Sequence, residues 1–168
     1  MTDQKRVTII EILIVVAVIG LIGTLSAVAV SSARANARDA VRLSNVRQVQ
    51  VSLENFFIAR SSYPITDNVA ALGYGSTGCL STEGFQSSCD ATTEGILIKT
   101  VPVAPDNGLN GLSSCGGVAN AFCYLAIKDG ESYVIQFELE HAITSAELQR
   151  GLNCATPEGM KSGACSVE

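Results

Sequence analysis

No tryptophan occurs in this chain of 168 residues, and aromatic side chains make up only 5% of it. That excludes an aromatic-rich platform of the kind on which single-stranded nucleic acids stack. Histidine is nearly absent as well: His141, beside Glu138 and Glu140, is the single one, and it reads as a surface residue. With no Ser, Cys or His arrangement around it, nothing can assemble a nucleophile, base and orienting acid, and the reading is not an enzyme. No CxxC pair or Cys/His pair at zinc spacing occurs, which removes a structural zinc site. Gly73-Tyr74-Gly75 lacks the lysine and the following helix that a phosphate loop needs. No proline precedes Pro64, no cysteine precedes Cys79, and no internal repeat is visible.

What is present begins with a long apolar run. Ile12 to Val30 is 19 residues without a charge, close to the ~20 that cross a hydrocarbon core as a helix. A carboxylate, Glu11, stands at its start. A charge just inside such a segment is costly and normally has a dedicated partner. Gly20, Gly23, Thr24 and Ser26 are small residues that let helices approach closely in lipid. Met1–Arg6 is too short and polar to be a secretory signal with its own apolar region.

Charge divides the chain unevenly. Residues 1–60 hold seven Lys/Arg against four Asp/Glu, a net of +3, whereas residues 61–168 hold four against twelve, a net of −8. An acidic second part repels phosphate backbones, so no nucleic-acid partner is expected.

From Ser31 to about Arg60 the chain stays helix-prone and turns amphipathic. Apolar groups recur at Ala37, Ala40/Val41, Val46, Val49, Leu53 and Phe56/Phe57. Arg34, Arg38 and Arg42 share one face at i, i+4 intervals. That stripe is either a solvated face or a surface for inter-subunit pairs or lipid headgroups. The helix should stop near Ser61-Ser62-Tyr63-Pro64, because a proline disfavours helical geometry at its predecessor. Beyond it, Ala71–Glu94 reads as a Gly/Ser/Thr-rich loop region. Phe122–Ile127 and Tyr133–Leu139 read as strands joined by a turn at Asp129-Gly130. Thr144–Arg150 suggests a short helical turn, and Cys154–Cys165 reads as loop.

All six cysteines, Cys79, Cys89, Cys115, Cys123, Cys154 and Cys165, fall after the helix. An even count in a small, loop-rich domain points to disulfides and an oxidising compartment. Fifteen pairings are possible for six cysteines. Nearest neighbours, Cys79–Cys89, Cys115–Cys123 and Cys154–Cys165, are expected because each closes a short loop, adding ~2–3 kcal/mol in the chain-entropy view. Asp106-Asn107-Gly108-Leu109-Asn110-Gly111 faintly resembles an oxygen-rich calcium loop. Gly117 stands where an EF-hand has its closing Glu, so turn chemistry is the simpler reading and no cofactor is expected.

The N-terminal pattern resembles the start of a type IV pilin or type II secretion pseudopilin. The likeness runs through Thr8, Ile9, Ile10, Glu11, Ile12, Leu13, Ile14, Val15, Ala17, Ile19 and Gly20, and the Tyr63-Pro64 pair resembles the end of that family's long helix. Val101-Pro102-Val103-Ala104-Pro105-Asp106 resembles, with reordered Pro and Asp, a turn found before the strands of its head. The resemblance covers residues 5–64 well and the remainder loosely.

It implies an α+β fold in which a long N-terminal helix, its first half transmembrane, packs on a small antiparallel sheet. The parts would be a leader (1–6), a transmembrane and polymerisation helix (7–30), its amphipathic continuation (31–63) and a disulfide-rich head (64–168). The implied function is structural, as a subunit of a pilus or pilus-like filament that is membrane-anchored before assembly. Partners would be other copies, minor pilins, an inner-membrane assembly platform, a prepilin peptidase and membrane lipid. Glu11 would pair with a neighbour's α-amine or help hand the subunit to the assembly machinery, Arg6–Val7 would be the cleavage junction, and Val7 the methylated residue. Here the chain departs from the family, which has Gly before the cut where this chain has Arg6. An uncut chain would be an anchored extracellular binding module that does not polymerise. A Pro that often kinks the family's helix is also missing, with Val28–Ser31 in its place.

Counting basic residues literally, Arg34, Arg38, Arg42 and Arg47 outnumber Lys5 and Arg6, which would leave the head in the cytoplasm. The cysteines and the resemblance place it outside, and that is the expected topology.

Overall fold

The computed structural model describes residues 8–166. Arg6 and Val7 lie outside the described residues. The layout is α+β. One 52-residue helix, α1 (Ile9–Arg60), is followed by short antiparallel strands. The chain separates into two units, the first ending at Ala35 and the second beginning at Asn36.

In the first unit, Thr8 starts the helix. Its hydroxyl and carbonyl both accept the Glu11 N–H, at 3.3 and 3.1 Å, as an N-terminal cap does. Every residue from Ile9 to Val30 is exposed, including Ile12, Leu13, Val16, Ile19 and Leu25. Among the described residues, α1 is the one helix long and apolar enough to cross a membrane. Thr24, Ser26 and Ser31 return their hydroxyls to carbonyls three or four positions back, which satisfies them without a partner.

In the second unit, α1 buries Asp39, Arg42, Leu43, Val46, Val49, Leu53 and Phe56. These positions recur every three or four residues, so one face meets the core. The earlier part of the expected face is corrected here: Ala37, Ala40 and Val41 are exposed. α1 ends at Arg60, where the expected stop lies. Ser61 takes a left-handed φ of 58° and its N–H donates to the Phe57 carbonyl. Tyr63 and Pro64 then tie the end down. The Tyr63 hydroxyl donates to Glu54, burial pushes it up to about 12, and the Tyr124 hydroxyl donates to the Pro64 carbonyl at 2.8 Å.

The strands are β1 (Ala70–Ala71), β2 (Cys79–Ser81), β3 (Gly84–Gln86), β4 (Ile96–Ile98), β5 (Cys123–Ile127), β6 (Ser132–Leu139), β7 (Gly151–Thr156) and β8 (Gly159–Ser162). The main sheet runs β1-β5-β6-β7-β8, and a smaller one runs β3-β2-β4. β5 and β6 form the expected hairpin, with Tyr124 opposite Ile135. Its turn passes through Lys128, Asp129 and Gly130, all with positive φ. A side chain at Gly130 would press on the Tyr63 carbonyl at 3.0 Å, while its own carbonyl accepts the Tyr63 N–H at 2.7 Å.

Tyr133, Ile135, Phe137 and Leu139 alternate along β6 and enter the core with Leu53, Leu72, Leu80 and Phe122. The opposite face of β6 is also covered: the Ser113 hydroxyl donates to the Gln136 carbonyl, and Glu138 is buried. Two expected loops are corrected. Ala71–Glu94 contains β2 and β3. Cys154–Cys165 is largely a hairpin of β7 and β8, with Asn153 opposite Ser162. Thr144–Ala146 is a single 3-10 turn. The cysteines are paired Cys79–Cys89, Cys115–Cys123 and Cys154–Cys165, leaving none free.

Candidate functional site

In the first unit the ionisable group of interest is Glu11. It sits in the first turn of α1, exposed, and among the described residues its carboxylate has no ion-pair partner. Carboxylates favour a helix N-terminus because the unpaired N–H groups there carry partial positive charge. Glu11 is therefore compatible with the helix itself but costly in hydrocarbon unless a cation reaches it.

The second unit holds a charge cluster that the sequence pattern does not announce. Arg42 is fully buried and Asp39 almost so. The five N–H bonds of the guanidinium meet five acceptor contacts. Nη1 donates to Asp39 Oδ1 and Glu140 Oε1, both at 2.7 Å. Nε and Nη2 donate to the Pro105 carbonyl at 2.9 and 2.5 Å, and Nη2 also donates to the Asn107 carbonyl at 2.6 Å. A buried arginine is tolerable only when its donors are met in this way.

Arg38 adds a bidentate pair to Glu140, at 2.7 and 2.6 Å. Asp39 accepts the backbone N–H groups of Glu140 and His141 at 3.0 and 2.9 Å. Two cations and two carboxylates balance. The hydrogen bonds from Arg38, joined by those from Arg42 and opposed by burial, pull the Glu140 carboxyl down to about 2. The arginine stripe is thereby corrected: Arg38 and Arg42 are spent inside this unit, and Arg34 and Arg47 are the exposed arginines of that helical stretch without an ion pair among the described residues. His141 is exposed, 3.7 Å from Asp39.

The loop that resembles a calcium site is occupied by protein contacts. Glu138, 2% exposed, accepts the N–H groups of Asn110 and Leu112 at 2.8 Å each. Asn120 accepts from Gly111 and donates to the Asp106 carbonyl. Among the described residues no group of three or more His, Cys, Asp or Glu is placed to hold a metal ion. A cleft of about 720 Å³ runs between Tyr63–Ala71, Tyr74–Thr77 and Glu83–Phe85. Its carboxylates are Asp67 and Glu83, and Glu83 pairs with Arg60.

Compared with protein-family models, with curated proteins and with solved structures, the chain matches none.

Proposed function

We propose that this chain is a pilin-like structural subunit, anchored in a membrane by its apolar helix and then drawn into a filament of stacked helices. The observation that carries the reading is a solitary carboxylate, Glu11, heading 19 uncharged residues that are exposed along α1. Exposed apolar surface of this extent demands lipid or other helices. A carboxylate at its edge demands a cation, and a neighbouring copy's α-amine at Val7 supplies one. The amine exists only if a prepilin peptidase cuts after Arg6; methylation of Val7 would keep its charge. The disulfide-paired, acidic head then lies outside the cytoplasm and forms the filament surface. An assembly platform and minor subunits complete the set of partners. A pseudopilin of a type II secretion system would use the same anchor and the same carboxylate.

Arg6 favours a second reading. Its side chain is large and charged where the family has Gly, and an uncut chain would remain an anchored, non-polymerising extracellular binding module. Co-expression with an assembly platform and peptidase separates the two. The filament reading predicts that wild-type protein appears in sheared, pelletable fibres while Glu11→Ala stays in the membrane at equal abundance. Fibres from Glu11→Ala at wild-type yield would defeat it.

A further inference from the structure

The loop that Arg42 reaches contains Asn107-Gly108 and, three residues on, Asn110-Gly111. A glycine after asparagine has no side chain to block its backbone nitrogen from the asparagine amide carbon. The two pairs are chemically identical in sequence but held differently. The Gly111 N–H donates to Asn120 Oδ1 at 2.8 Å, and its neighbours Asn110 and Leu112 donate theirs to the buried Glu138. The Gly108 N–H has no acceptor among the described residues. Asn107 is exposed.

The carbonyl of the Asn107–Gly108 peptide accepts a hydrogen bond from the buried Arg42 guanidinium at 2.6 Å. Arginine stays charged under all ordinary conditions. When the Gly108 nitrogen loses its proton, negative charge spreads onto that carbonyl oxygen, where Arg42 already points. A fixed donor aimed at developing charge lowers the barrier to forming it.

We propose that Asn107-Gly108 is a self-modification site at which Arg42 promotes conversion of the asparagine to aspartate and isoaspartate. The Gly108 N–H gives its proton to solvent hydroxide, and the nitrogen attacks Asn107 Cγ. The Cγ–Nδ2 bond breaks, the nitrogen leaves as ammonia after taking a proton from water, and a succinimide remains. Water then adds to one of the two ring carbonyls. Attack at Cγ opens the ring to aspartate; attack at the main-chain carbon opens it to isoaspartate. The net change is one water consumed and one ammonia released, with no oxidant or reductant.

In aspartate the new carboxylate lies three bonds from the carbonyl that Arg42 holds; in isoaspartate that carbonyl becomes the carboxylate and the main chain gains a methylene. Gly108 itself packs against the Glu140 carboxylate. The modification therefore acts on the loop that closes over the charge cluster, independently of whether the chain polymerises.

The test is ageing of the full-length protein in detergent micelles at mildly alkaline pH, followed by proteolysis and mass spectrometry of the peptides carrying Asn107 and Asn110. A guanidinium-denatured sample serves as reference. Folded protein is expected to convert Asn107 at least as fast as the denatured chain does. Asn110 should convert at least about tenfold more slowly than in the denatured chain, since its loop must open first. Asn120→Ala frees the Gly111 N–H and is expected to raise conversion at Asn110. Equal rates at the two asparagines in folded protein would overturn the proposal. So would an Asn107 that converts only after denaturation.

Discussion

Arg42 ties together parts of the second unit that are far apart in sequence. Its guanidinium joins the helix to the carbonyls of Pro105 and Asn107 and to Glu140, 98 positions further along the chain. Truncating Arg42 leaves the buried Asp39 carboxylate without its cation and Glu140 with Arg38 alone. Arg42→Ala is therefore expected to cost about 3–5 kcal/mol, read as a lowered urea midpoint for the protein in micelles; a loss below 1 kcal/mol, the ordinary worth of a surface pair, would show that the cluster is solvated. Acid tests the same cluster from the carboxylate side. Because the Glu140 carboxyl is held at about 2, below its ordinary 4.5, its contribution is complete above about pH 4.5 and fades as pH falls towards 2. Glu140→Gln should flatten that part of the stability profile, at the cost of a lower plateau at neutral pH.

Among the elements, α1 and the β5–β6 hairpin were the most legible. An uncharged run of spanning length, a helix stop ahead of Pro64 and the Asp129-Gly130 turn are local signals, and each lies where the pattern places it. The nearest-neighbour cysteine pairs follow from loop length in the same local way. What local pattern could not supply was the partner of a charged residue. Arg42 read as part of a basic stripe because its acceptors lie in a distant loop and beyond a distant strand. Its spacing held a clue, since Asp39, Arg42, Val46, Val49, Leu53 and Phe56 form one three-and-four series that places two charges on the core face.

The β7–β8 hairpin was missed for another reason: Gly159, Lys161 and Ser162 are poor strand formers, and β8 is an edge strand held by its ladder to β7. The Cys154–Cys165 bridge closes that hairpin. Replacing both cysteines by serine should lower stability by about 2–3 kcal/mol. It should also speed amide exchange at Met160 and Lys161 more than in β6. Uniform exchange across the sheet would mean that the bridge does not secure the edge.

For the whole molecule, the two units carry separate demands. The first presents apolar side chains along its helix with one carboxylate at the start. The second is closed by its own core, its disulfides and a balanced charge cluster. The proposed filament, with lipid before assembly and other helices after it, would satisfy both apolar surface and carboxylate at once. That proposal turns on whether a free amine is made next to Glu11. The deciding measurement is the intact mass and N-terminal sequence of the membrane-associated protein after co-expression with a prepilin peptidase. The account predicts a product beginning at Val7, with or without a methyl group. A product still beginning at Met1 would leave Glu11 without its neighbour's amine and contradict the polymerising subunit.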